Sequence, residues 1–260
     1  MTPRSSQEAQ RSPEPSSRDD EAVARVALPA QLAAASPEQV LEWALREHHS
    51  HVALACSFSA EDIAVLHMMH RIDPKSRVFA IDTGRLDPET YEVAEEIHRS
   101  LGVSIEWYFP RHEAVEGLVR AKGMFSFQRS VDERKQCCHI RKVEPLGRAL
   151  QGLTAWVTGM RREQAMTRGH LRAVEMDPAH GGITKVNPIA AWSVEDTWNY
   201  VSLHGLPYNR LYERGYTQIG CQPCTTPVRP GEDARAGRWR WESPEHKECG
   251  LHTHIDGDGI

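Results

Sequence analysis

The sequence predicts an α/β protein, a mainly parallel sheet with helices packed on both faces. Three observations carry that expectation. Short apolar runs of strand length alternate with amphipathic stretches of helix length. The helical stretches open on Ser or Asp caps, and at Ser36-Pro37 and Asp87-Pro88 the cap is followed by proline, whose fixed φ suits the first helical turn. The strand candidates run into small-residue turns that lead straight into helices, the connection that parallel pairing requires.

Taken in order, residues 1–27 are rich in Ser, Pro, Arg, Glu and Gln and bury too little apolar surface to offset ordering, so they read as a disordered leader. Ser36-Pro37-Glu38-Gln39 opens a helix whose apolar face carries Val40, Leu41, Ala44 and Leu45. His51–Ala55 reads as a strand, Ala60–Arg71 as a helix and Arg77–Asp82 as the next strand, which is a βαβ unit. Asp87 caps a helix that Gly102 stops, and residues 103–109 supply a further strand. Residues 154–158 and 184–189 are strand candidates, and Ser193 caps a helix that ends at Gly205. From Cys221 onward, closely spaced Pro and Gly residues break every period. The expected division is a leader (1–27), a folded catalytic unit (28–230) and a mobile C-terminal tail (231–260).

Composition narrows the function. At 260 residues, 40% hydrophobic and 26% charged, the chain has the makeup of a soluble globular protein large enough to need no disulfide staples. No run approaches the roughly 20 apolar residues of a membrane span. Its 31 basic and 36 acidic side chains give a net charge of -5, so nothing argues for wrapping a nucleic-acid backbone. Arg25 splits the one apolar stretch near the N-terminus, so no export signal is legible; the expected location is cytoplasmic and the six cysteines are expected to be reduced.

Several motifs carry chemistry. Ser57-Phe58-Ser59, followed by Ala60-Glu61-Asp62, places hydroxyls and backbone N–H groups between a strand and a helix start, where a phosphate or sulfate is attracted. Ile81-Asp82-Thr83-Gly84-Arg85 ends the next strand at the same sheet edge, and two such turns favour a nucleotide. Thr158-Gly159-Met160-Arg161-Arg162-Glu163-Gln164 offers paired guanidinium groups, and Arg168 adds a third, suited to bidentate capture of an anion. Cys137-Cys138 and Cys221-Gln222-Pro223-Cys224 invite a metal; an iron–sulfur cluster, a structural zinc and a redox CxxC all remain open on spacing alone. Lys135, Arg141 and Lys142 flank the adjacent pair with positive charge. Cys249 stands apart beside Lys247 and His252, and Arg235 and Arg238 lie upstream of it, so the tail combines anion binders with a lone thiol. Cys56 reads as a core residue.

Together these segments resemble the sulfonucleotide reductase family, and its iron–sulfur branch, over roughly residues 35–256. The resemblance rests on Ser-Phe-Ser at 57–59, Ile-Asp-Thr-Gly-Arg at 81–85, Lys-Gln-Cys-Cys-His-Ile-Arg-Lys at 135–142, Thr-Gly-Met-Arg-Arg-Glu-Gln at 158–164, Gly-Cys-Gln-Pro-Cys-Thr at 220–225 and Glu-Cys-Gly-Leu-His at 248–252. It implies a Rossmann-type fold of the adenine nucleotide alpha hydrolase (PP-loop) kind, and a [4Fe–4S] cluster on Cys137, Cys138, Cys221 and Cys224. It also implies a nucleotide held by Ser57, Phe58, Ser59, Asp62, Ile81, Asp82, Thr83, Gly84, Arg161, Arg162 and Arg168. The implied reaction is reduction of adenosine 5'-phosphosulfate (APS) to sulfite and AMP, with Cys249 as nucleophile, Lys142, Arg235, Arg238 and His252 supporting it, and thioredoxin as electron donor. A homo-oligomer is expected. Ala60 and Ala165 stand where many relatives carry glycine and serine. The competing readings are action on the 3'-phosphorylated sulfonucleotide, a PP-loop adenylyltransferase with structural zinc, and a non-catalytic sensor.

Overall fold

The computed structural model describes residue 32 and residues 34–165 and 168–243. Six strands form one sheet: β1 (Val52–Ala55), β2 (Arg77–Ile81), β3 (Ile105–Tyr108), β4 (Ala155–Val157), β5 (Val174–Asp177) and β6 (Ile183–Val186). Their spatial order is β3-β2-β1-β4-β6-β5, with every pair parallel except β5 against β6. The chain runs outward from β1 in one direction and then from β4 in the other. The β1/β4 boundary is therefore the switch point, where the two diverging connections leave a crevice at the carboxyl ends of the strands.

Side-chain alternation along the strands divides the core. Val52 and Leu54 of β1, Val78 and Ala80 of β2, and Ala155 and Val157 of β4 join one buried cluster with residues of α1 (Pro37–His48), α2 (Ala60–Ile72), α3 (Pro88–Leu101) and α7 (Val194–Leu203). The intervening Ala53, Phe79 and Trp156 pack with Leu146, Ala149 and Leu150 of α6 (Glu144–Leu150). The serine caps are where the sequence places them, whereas Asp87 holds the N-cap position of α3 without a side-chain cap hydrogen bond. Ser36 and Gln39 form a capping box on α1, Ser59 accepts from the Asp62 N–H at the start of α2, and Ser193 pairs with Asp196 on α7. Gly102 adopts φ 71° to end α3, a conformation open to glycine at no steric cost.

Three differences from the sequence reading matter. The stretch between β3 and β4 is helical, with α4 (His112–Lys122), α5 (Val131–Cys138) and α6 joined by a π-helical turn over His139–Val143. Pro145 has no N–H to return to the carbonyl of Arg141, so the helix widens by one residue just before it. The edge strand β5 runs antiparallel, and its mixed Val-Glu-Met-Asp composition gives no period to read. Residues 231–243, which composition assigns to the tail, pack onto the body. Arg238 bridges to Thr225, and Trp239 is 1% exposed.

Candidate active site

The first cavity, about 570 Å³, opens at the switch point. Its floor is the turn after β1. Ser57 donates to Asp62 through both N–H (2.7 Å) and hydroxyl (2.5 Å), and the Ser59 hydroxyl accepts from the Asp62 N–H. Phe58 sits between them at φ 62°, in the left-handed region that costs a side-chain-bearing residue energy. Its buried ring is stacked on Trp107 at 5.5 Å. The other carboxylate oxygen of Asp62 accepts from the N–H of Gly159, on the turn after β4. One buried carboxylate thus ties the two turns that flank the switch point. Burial pushes the Asp62 carboxyl above its ordinary range, against the opposing pull of the Ser57 hydrogen bonds. Gly159 is required by this approach, because a Cβ there would lie 2.4 Å from Asp62 Oδ1.

Ile81 and Thr83 line the cavity from the end of β2. Asp82 and Gly84 shape the turn behind them: Asp82 accepts from the Gly84 N–H (2.7 Å) and the Tyr91 hydroxyl (3.0 Å).

The arginine motif is placed differently from the sequence expectation. Arg161 is buried at 3% exposure; its Nε and Nη2 donate to one oxygen of Glu61 (3.1 and 2.8 Å) and its Nη1 to the carbonyl of Trp192. A guanidinium committed in this way holds the cavity wall, and no bidentate fork is left to capture an anion. Arg162 turns away, donating to the carbonyl of Leu171, and does not line the cavity. Arg168 does line it, donating to Gln164 at 2.6 Å. The Glu61 partnership was invisible because an ion pair one hundred residues long in sequence leaves no local pattern.

The second cavity is small and lined by all four cysteines of the two pairs. Cys137 and Cys138 end α5, Cys221 precedes a single 3₁₀ turn and Cys224 ends it. That turn is fixed to the β2 loop by the Leu86–Cys221 bridge and by the Gln222 N–H, which donates to Arg85. Thr83 Oγ1 lies 3.2 Å from Cys221 Sγ. The π turn supplies Arg141, which donates to the Thr83 carbonyl at 2.6 Å, and Lys142, which lines both cavities. Burial alone would raise the Cys221 thiol, but Lys142, the Thr83 hydrogen bond, Arg238 and Arg141 together bring it below the usual thiol range. Burial raises Cys137, and burial with neighbouring Cys221 pushes Cys224 up to about 11.

Arg235 and Arg238 line the first cavity from the packed 231–243 segment. Arg238 donates to Thr225 (2.9 Å) and lies 4.5 Å over the Trp239 ring, whose neighbour Arg134 sits at 4.4 Å. Cys56 is 4% exposed and belongs to the core, where burial raises its thiol well above the usual range. Cys249 and His252 lie outside the described residues. Among the described residues no group of three or more His, Cys, Asp or Glu side chains is gathered closely enough to hold a metal ion, and no helix is long and apolar enough to cross a membrane.

A serine-bearing turn at the switch point, a facing glycine turn and a cationic rim sit together on an α/β fold of the PP-loop class. Comparison agrees. FMN adenylyltransferase from Candida glabrata, with FAD and inorganic pyrophosphate bound, superposes with a TM-score of 0.52 at 12% identity, covering 74% of this chain and 66% of that one, a likeness of fold. Phosphoadenylyl-sulfate reductase from Candida auris superposes with a TM-score of 0.65 at 27% identity, covering 77% of this chain and 99% of that one. Residues 51–227 match the phosphoadenosine phosphosulfate reductase domain. The adenosine 5'-phosphosulfate reductase of Burkholderia cepacia is 48% identical over 79% of this chain and 82% of its own length. The chain belongs to the sulfonucleotide reductase family, in its adenosine 5'-phosphosulfate reductase branch.

Proposed function

We propose that this protein reduces APS to sulfite and AMP in sulfate assimilation. The observation that carries the reading is the adjacency of the two cavities: Lys142 lines both, and Thr83 lines the nucleotide cavity while bonding a cysteine of the other. The relatives named for this activity, at 48% identity in the Burkholderia protein, support the substrate.

The donor set fits a [4Fe–4S] cluster on Cys137, Cys138, Cys221 and Cys224. Four thiols line one cavity together with Arg85, Arg134, Arg141 and Lys142, whose positive charge would offset a thiolate-held cluster, and Arg141 Nε is buried there without a hydrogen-bond partner. When bound, the cluster supplies a fixed charge distribution beside the nucleotide, without needing to change oxidation state. The remaining work falls to the chain. The Ser59 N–H and hydroxyl proton, on a turn that Ser57 braces through Asp62, and the backbone end of β2 hold the nucleotide, while Lys142, Arg235 and Arg238 face the sulfate and phosphate oxygens, where negative charge grows as the bond breaks. The Cys249 thiolate attacks the sulfur of APS and the sulfur–oxygen bond to AMP breaks, leaving S-sulfocysteine. A thioredoxin thiolate then attacks the Cys249 sulfur, sulfite departs with the bonding electron pair, and the second thioredoxin thiol resolves the mixed disulfide.

The test is anaerobic purification, measurement of iron and the visible spectrum, and sulfite release from APS and its 3'-phosphorylated form with reduced thioredoxin. The expected protein is brown, holds iron, and prefers APS; Cys249→Ser binds APS and releases no sulfite. An iron-free preparation of full activity, or turnover without Cys249, would overturn the proposal.

A further inference from the structure

Seven large apolar side chains are exposed among the described residues, and three of them gather in one place. Met124 (55% exposed) and Phe125 (62%) sit on the turn after α4, and Trp241 (39%) sits near the end of the packed C-terminal segment. The buried ring of Phe127 joins them, 6.1 Å from Phe125 and 5.9 Å from Trp241. Phe127 also lines the cysteine cavity, so the patch covers its outer wall. Arg85 stacks on Phe127 at 4.8 Å and donates to the Met124 carbonyl, which fixes the turn that presents the pair. Exposed aromatic and methionine side chains gathered around one buried ring in this way are what protein partners use as an anchor.

The position of this patch relative to Cys249 selects the partner. Glu242 is locked to Arg134 by two buried hydrogen bonds of 3.0 and 2.8 Å, so the last described residues are held to the body next to Trp241. Cys249 follows Ser243 by six residues, a reach of at most about 20 Å. Any protein that attacks a modified Cys249 must therefore come within that distance of the patch. The segment from 244 to 260 is a poor occupant itself, because Leu251, Ile255 and Ile260 are its only large apolar residues.

We propose that Met124, Phe125 and Trp241 form the docking surface for the small protein dithiol that regenerates Cys249. This rests on the activity argued above and adds the place where its second reactant binds. Exposed Arg129, close to Gly123 at the edge of the turn, favours a partner with an acidic rim.

The test uses the iron-loaded full chain with the exposed double variant Met124→Ser/Phe125→Ser and, separately, Trp241→Ser. Adduct formation from APS is read by mass spectrometry without reductant, and sulfite release is read with thioredoxin and with dithiothreitol as donors. The expected result is a KM for thioredoxin raised about tenfold, with adduct formation and the dithiothreitol-driven rate unchanged. An unchanged thioredoxin KM overturns the surface while leaving the activity standing. Slowed adduct formation overturns it in favour of the chain's own C-terminal segment, and a changed sedimentation coefficient with both donors equally affected overturns it in favour of a second copy. Absence of any adduct in the unaltered protein would overturn the activity itself, and this surface with it.

Discussion

The hydroxyl of Thr83 meets the sulfur of Cys221 at 3.2 Å, joining the turn after β2 to a cysteine pair that arrives from far along the chain. It links the wall of the switch-point cavity to a proposed cluster ligand, and Arg141 reinforces it by donating to the Thr83 carbonyl. Thr83→Val keeps the shape and removes the hydroxyl. Iron retention in air should fall severalfold, while affinity for AMP, measured by calorimetry, changes less than twofold; unchanged retention would show that the contact is incidental.

Gly159→Ala should damage the nucleotide cavity from behind. The new Cβ would lie 2.4 Å from Asp62 Oδ1 and 2.8 Å from Asp62 N, so the carboxylate that ties the two turns must move. Overpacking of this kind costs about 2 kcal/mol. Urea unfolding should report that loss, and AMP binding should weaken more than tenfold.

Breaking the Arg134–Glu242 pair leaves one buried charge alone, with side chains 1% and 3% exposed in the native protein. Glu242→Gln should cost about 3 kcal/mol, whereas the double replacement Arg134→Met/Glu242→Leu should recover most of it, since an apolar pair needs no compensation. Equal stability of the single and double variants in denaturant titrations would contradict this account.

Acid should weaken the α2–α7 contact through His67. Burial first, then His204, Arg71 and His70, hold its ring at about 4, and its Nδ1 lies 2.9 Å from the Tyr200 hydroxyl. The unfolded chain therefore binds the proton more readily, so the stability is fully present above about pH 6.5 and drains away as pH falls toward 4. For a ring this open to solvent the effect is about 1 kcal/mol after screening. Melting temperatures between pH 7 and 4.5 should fall less steeply in His67→Gln.

Local signals carried the caps, the βαβ units and both turns of the switch-point cavity, because Ser36, Ser59 and Ser193 act on backbone within a few residues of themselves. The π turn left one trace, Pro145 four residues beyond Arg141, and reading it requires knowing already that the segment is helical. The 231–243 segment was misleading for another reason. Its prolines and glycines break every period, yet Trp239 is buried, its ring covered by Arg134 from more than a hundred residues away and by the adjacent Arg238.

By itself the sequence determined the fold class, the four paired cysteines and the turn chemistry that suits a nucleotide, since each depends on residue type and short spacing. The tertiary structure alone decided that Arg161 is spent on Glu61, that Arg162 faces away, and that Lys142 serves two cavities at once. A guanidinium binds whichever carboxylate or carbonyl the folded chain brings to it, and that choice is made by strand order and helix packing across distances no local pattern records.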